Sequence, residues 1–286
     1  MSNHPAFAPT ISVLTEQPAK LLPPDLSRAG ILNRFPSLAG VEAVGMTGSI
    51  AAGFGNIYSD IDLYVFADEV PDLPDDETSE TWGGGDSQTG LRSHTWMGRY
   101  DDARVDLKVW PVNAPALALA SFLTDPEPEF CEVSSTVMDF VYRLSIARAL
   151  INEEYFAGAR RLIASSAYAR ALGRSQKGTT ENKLIDVAGQ LDAGDVLSAR
   201  LSAMSAAASI ADCALTMAGA FSQGARGSKW LLRRLQAAPG CGITAEEYCA
   251  VVLDGRRNAE SDGEYAIRVA HWVRDKLIAI EPSVLG

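Results

Sequence analysis

The sequence predicts an α+β fold, with a small mixed β-sheet domain over residues 1–125 followed by an α-helical bundle over residues 130–286. Short runs rich in β-branched and aromatic residues gather before the punctuated stretch TDPEPE at 124–129, and apolar positions recur at the helical period after it. Charge divides the chain at the same place. The first 130 residues carry 19 acidic and 7 basic side chains, whereas the remainder carries 17 and 18.

A chain of 286 residues with 47% hydrophobic and 21% charged residues can bury a sizeable core, which excludes extended disorder and fibrous structure. The net charge of -11 argues against a protein that grips a phosphate backbone, so nucleic acid is not an expected partner. Four cysteines without a CxxC pair, together with three histidines, exclude zinc-finger spacing and a dense disulfide framework. A reducing, cytoplasmic location is the expectation, and the opening MSNHPAFAPTISVL does not read as a secretory signal. Leu201 to Phe221 is apolar but rich in Ala and Ser and interrupted by Asp212, which predicts a buried core helix and no membrane span.

Taken in order, Val41–Met46, Ile61–Phe66, Leu91–Arg99 and Arg104–Val112 read as strands, the last two flanking a Tyr-Asp-Asp-Ala turn. The segment 68–86, within an acidic loop spanning 68–90, holds eight acids and no Lys or Arg, with Pro and Gly throughout, and reads as a loop. A short Ala-rich helix precedes TDPEPE. From Thr136 to Ser165, Phe140, Leu144, Ala147, Ile151, Tyr155 and Leu162 fall on one helical stripe. Asp195 caps a long helix towards Phe221, with Gly224 just beyond its end, and helices at Ser228–Ala238 and Gly263–Ile280 complete the bundle.

The chemically informative segment is Gly48-Ser49, ten intervening residues, then Asp60-Ile61-Asp62 opening an apolar strand. Side chains alternate along a strand, so Asp60 and Asp62 share one face while Ile61 and Leu63 enter the core. Two carboxylates at about 4 Å repel by roughly 4 kcal/mol at an effective dielectric near 20, a cost that a divalent cation removes. Few hard oxygen ligands are how proteins hold Mg²⁺ when substrate phosphates supply the rest of its octahedron. Gly48 and Ser49 follow a strand and precede a turn of helix, where backbone N–H groups and the hydroxyl can face a phosphate. On RVDLKVW, Asp106, Lys108 and Trp110 share a face, so Asp106 makes a three-carboxylate site if its strand lies beside Asp-Ile-Asp.

Gly48-Ser49, Asp60-x-Asp62 and the later Asp106 together resemble the nucleotidyltransferase superfamily of DNA polymerase beta. The string GSIAAGFGNIYSDIDL is most similar to aminoglycoside nucleotidyltransferases of the kanamycin and streptomycin type. The resemblance covers about residues 41–110 and implies a nucleotidyltransferase domain followed by a helical one. It implies that Asp60 and Asp62 bind Mg²⁺, that Asp106 is a third ligand or a base, and that Gly48 and Ser49 hold nucleotide phosphate. Several relatives carry Arg shortly after Gly-Ser, whereas this chain reads Ile50-Ala51-Ala52-Gly53, so phosphate charge has to be met elsewhere.

Lys108, on the face of Asp106, is a candidate for that role, as are Lys177, Lys183, Lys229 and Arg233 in the helical half, although each alone also suits a plain surface cation. Glu154, at the edge of an apolar helix stripe, resembles the general-base glutamate of kanamycin-type enzymes and competes with Asp106 as catalytic base. The expected reaction moves a nucleoside monophosphate, AMP from ATP, onto a hydroxyl of a small molecule such as an antibiotic or metabolite, releasing pyrophosphate with Mg²⁺. The competing expectation is a regulatory, antitoxin-type nucleotidyltransferase that modifies or binds a protein partner. A homodimer fits the resemblance as well.

Overall fold

The protein is described from a computed structural model, which covers residues 26–56, 59–75, 79–101, 103–124, 133–222, 229–253 and 260–285. It forms two compact units that interleave along the chain: 1–84 with 93–112 and 146–153, and 85–92 with 113–145 and 154–286. The boundary expected at 124–129 falls, beyond Thr124, outside the described residues.

The first unit is built on a six-stranded mixed sheet of order β3-β4-β5-β2-β1-β6. Its strands are β1 (Ala43–Thr47), β2 (Ile61–Phe66), β3 (Glu80–Asp86), β4 (Leu91–Tyr100), β5 (Ala103–Trp110) and β6 (Arg148–Ile151). The expected strands all form, and the fold is α+β. β2 pairs antiparallel with β1 and parallel with β5, and the parallel register sets Ile61 beside Val105, Asp62 beside Asp106 and Phe66 beside Trp110. Alternation then separates two faces. Ile61, Leu63, Val65, Val105, Leu107 and Val109 pack with Ile31, Phe35 and Trp96 in one hydrophobic core. The opposite face begins with Asp62 and Asp106 and ends in Tyr64, Phe66 and Trp110, which are buried and meet edge to face.

Three local expectations are corrected. Glu80–Asp86, read as part of an acidic loop, is an edge strand. Its glycines, which discourage a strand by propensity, here permit close backbone approach, since a Cβ on Gly85 would lie 2.6 Å from the Leu91 carbonyl. Asp86 fastens the following turn by accepting hydrogen bonds from the Gln88 and Thr89 N–H groups, both at 2.9 Å.

The stripe from Phe140 to Leu162 is not one helix. Ser135–Ser145 and Glu153–Ser165 are helical, but β6 lies between them and pairs antiparallel with β1, Gly45 opposite Ala149 and Met46 opposite Arg148. Asn152, at φ 61°, reverses the chain after β6, and its amide donates to the Glu42 carbonyl at 3.2 Å and carboxylate at 2.9 Å.

The second unit is helical, with long helices at Tyr168–Asp192, Val196–Met217 and Asp262–Leu285. Asp195 caps the middle one by accepting from the Ser198 N–H at 3.1 Å. That helix stops at Met217, short of the expected Phe221, because Gly219 at φ 77° turns the chain and the Ala220 N–H bonds back to the Leu215 carbonyl at 2.8 Å. Gly224, the expected stop, lies outside the described residues. Ala199, Ala203, Ala206, Ala207 and Ala211 are buried along it, and small residues of this kind let helices approach closely. Asp212 is paired internally: the buried Arg234 guanidinium forms an ion pair with one oxygen at 2.7 Å, and Ser222 and Gln176 donate to its second oxygen at 2.9 and 3.1 Å. Among the described residues no helix is long and apolar enough to cross a membrane.

Candidate active site

At the start of the parallel β2–β5 pair, Asp62 and Asp106 are neighbours in register, and Asp60 precedes β2 by one residue. The strand adjacency on which a three-carboxylate cluster depends is therefore present. Asp62 is buried, whereas Asp60 and Asp106 are partly exposed. β1 delivers the chain to this end of the sheet, where Thr47 faces Asp62 across the antiparallel ladder. The chain then enters the short helix Gly48–Ala51 through Gly48 at φ 71°, a conformation that favours glycine. Ser49 donates to the Ser59 hydroxyl at 3.1 Å, and Ser59 also accepts from the Asn56 N–H at 2.9 Å. These bonds tie the Gly-Ser turn to the residue that immediately precedes Asp60.

The sequence reading missed Arg104. Its guanidinium grips Asp106 with two hydrogen bonds, Nε to one carboxylate oxygen at 2.9 Å and a terminal nitrogen to the other at 2.7 Å, and that nitrogen lies 3.4 Å from Asp60. The Asp106 carboxylate raises the pKa of the arginine, with Asp60 and Asp62 adding to the effect. Alternation along Arg104, Asp106 and Lys108 was the available signal, because all three share a strand face. Its meaning depended on which strand β5 joins, which the sequence does not state.

Lys108 stands two residues along the same face, beside Tyr64 in the register and opposite Thr95. Glu154 belongs to the helical unit; its side chain is 79% exposed and is ion-paired with Arg161, so the burial expected at that helix edge is absent. Of the other candidate cations, Lys177 is held by Glu181 and Glu281, and Arg233 lies over the Trp230 ring.

Among the described residues, no group of three or more His, Cys, Asp or Glu side chains is placed to hold a metal ion, so Asp60, Asp62 and Asp106 are not gathered into the three-carboxylate site that was expected. The chemistry of the donors still suits Mg²⁺, which is commonly held by one or two carboxylates with water and phosphate completing its shell. Asp60 and Asp62 are the residues that would hold it, and the lack of a side chain on Gly48 leaves the Asp62 carboxylate room beside the turn.

Residues 29–97 match the family model of the nucleotidyltransferase domain. No curated protein sequence matches the chain. Among solved structures, the chain is similar to a nucleotidyltransferase-like protein from Exiguobacterium sibiricum 255-15, at 10% identity and a TM-score of 0.46, over 90% of this chain and 76% of that one. The family match takes in β1, Gly48-Ser49, Asp60 and Asp62, and ends within β4. Residues 29–97 thus carry the nucleotidyltransferase-domain match, and that match supports a nucleotidyltransferase.

Proposed function

We propose that the enzyme transfers a nucleoside monophosphate, AMP from ATP, to a hydroxyl of a small molecule of the antibiotic or metabolite class and releases pyrophosphate. The observation that carries this reading is the register of β2 and β5, which sets Asp62 beside Asp106 with Asp60 close by, next to the Gly48-Ser49 turn. Asp60 and Asp62 would hold Mg²⁺, which when bound supplies charge neutralisation for the phosphates. Gly48 lets the backbone approach phosphate closely, and the Ser49 hydroxyl would donate to phosphate by turning its one proton away from the Ser59 oxygen. The acceptor oxygen forms a bond to the α-phosphorus while the bond from that phosphorus to the α–β bridging oxygen breaks. The acceptor's proton passes to a carboxylate of this chain, for which Asp106 and Glu154 are the candidates.

The test is pyrophosphate release from each NTP with Mg²⁺, with and without a panel of aminocyclitols and other hydroxylated, cationic metabolites. ATP consumption that depends on one acceptor class supports the reading. Release that depends on a co-encoded protein, with no small molecule required, would replace it with the regulatory alternative.

A further inference from the structure

We propose that Arg104 is an exchangeable counter-ion of the acidic site, a partner of Asp106 and Asp60 that transfers to nucleotide phosphate when metal and nucleotide bind together. The inference rests on the metal and nucleotide reading given above. Three observations carry it. First, the guanidinium engages both oxygens of Asp106 and approaches Asp60, so it occupies the neighbourhood of the carboxylate that an incoming cation needs. Second, the Arg104 side chain is 56% exposed, whereas those of Asp106 and Asp60 are 21% and 33% exposed, so the arginine can leave into solvent while the acids stay on the sheet. Third, the turn after Gly48-Ser49 contains no cationic side chain from Ile50 to Gly55, so a triphosphate there lacks a local positive partner.

The Arg104–Asp106 pair is bidentate but lies at a partly exposed edge, so a competing anion can reach the arginine and exchange for the carboxylate. A guanidinium fork matches phosphate oxygens as well as it matches a carboxylate, which makes the exchange chemically even. No covalent step is involved. The consequence is thermodynamic: a divalent cation alone has to compete with Arg104, whereas a cation arriving with a triphosphate gives the arginine a new anionic partner. Metal and nucleotide therefore raise each other's affinity, and the coupling is reciprocal.

The experiment titrates the full-length chain with Mn²⁺ alone, read by the paramagnetic signal of the free ion, and then with a non-hydrolysable ATP analogue in the presence and absence of Mg²⁺. Arg104→Gln is expected to bind Mn²⁺ alone about three- to tenfold more tightly than wild type, and to bind the Mg²⁺-analogue complex about tenfold less tightly. Arg104→Lys, which keeps the charge but loses the fork, should fall between them. Unchanged or weaker Mn²⁺ binding in Arg104→Gln, while Asp62→Asn abolishes binding in the wild-type background, would overturn the counter-ion role and leave the metal reading standing. Failure of wild type and Arg104→Gln alike to bind Mn²⁺ would overturn both.

Discussion

The Asp62 carboxylate stands in the space that a side chain on Gly48 would need: a Cβ placed there would lie 2.7 Å from Asp62 Cγ and 3.0 Å from its Cβ. Two residues fourteen positions apart are thus fitted to one another. The glycine serves both the left-handed turn into the short helix and the seating of the acid, so the Gly-Ser and Asp-x-Asp motifs act as one steric unit.

Gly48→Ala should destabilise the fold by about 1 to 3 kcal/mol and lower nucleotidyl transfer at least about tenfold, since backbone strain adds to overlap with Asp62. In the double variant Gly48→Ala, Asp62→Ala, part of the stability should return and the activity should not. Thermal melts read the first effect and pyrophosphate release the second; additive losses of stability would show that the two residues do not interact.

Asp60→Asn and Asp62→Asn should leave the melting temperature near that of wild type in metal-free buffer, because removing one charge from a carboxylate cluster relieves repulsion. Pyrophosphate release should nevertheless fall by orders of magnitude. Near-normal turnover in either variant would remove that residue from the site.

Ser49→Ala should weaken ATP binding by about 1 to 2 kcal/mol, the scale of one hydrogen bond to a charged partner. Ser59→Ala separates the two uses of the hydroxyl. It removes the tether and leaves Ser49 in place, so its effect on ATP affinity, measured by calorimetry, should be smaller.

Arg234→Ala should cost about 3 to 5 kcal/mol, because it strands the buried Asp212 carboxylate without its guanidinium. Replacing Asp212 and Arg234 together by apolar residues of similar volume should cost less. Chemical denaturation reads both; equal losses would mean that the pair adds nothing beyond packing.

Asp86 gives a pH signature. The Ser134 hydroxyl and the N–H groups of the turn lower its pKa below the ordinary value of 3.8, against an opposing contribution from burial. A carboxyl depressed on folding contributes stability that is present above its unfolded pKa and lost as pH falls through the folded one. Asp86→Ala should therefore be less stable than wild type at neutral pH, and the gap should narrow below about pH 4. A gap that persists unchanged into acid would assign the loss to the turn's geometry alone.

What could be read in the sequence is what local periodicity encodes. Ile61–Phe66 announces itself by alternation, and the Asp195 cap and the Ala-rich helix after it by their spacing. β3 was hidden because glycine opposes a strand by propensity, and only the neighbouring backbone explains its presence. β6 was hidden because Ala147, just before it, and Ile151, its last residue, fit a helical stripe as readily as they fit a short strand. Arg104 was in plain view on the strand face of Asp106, but a side chain's partners across a sheet follow from strand order, a long-range property.

β6 also sets a timetable for biosynthesis. During synthesis β1, β2 and β5 emerge early, yet the strand that covers the outer side of β1 is complete only once residue 151 has been made, after two helices of the other unit. Until then β1 presents unpaired N–H and C=O groups along a wholly buried-type run, AVGMT, which is the kind of border that recruits a foreign strand. A nascent chain of this protein therefore carries an uncovered β1 border from the completion of β5 at Trp110 until β6 is made at Ile151, a window in which a chaperone that shields strand borders would protect it.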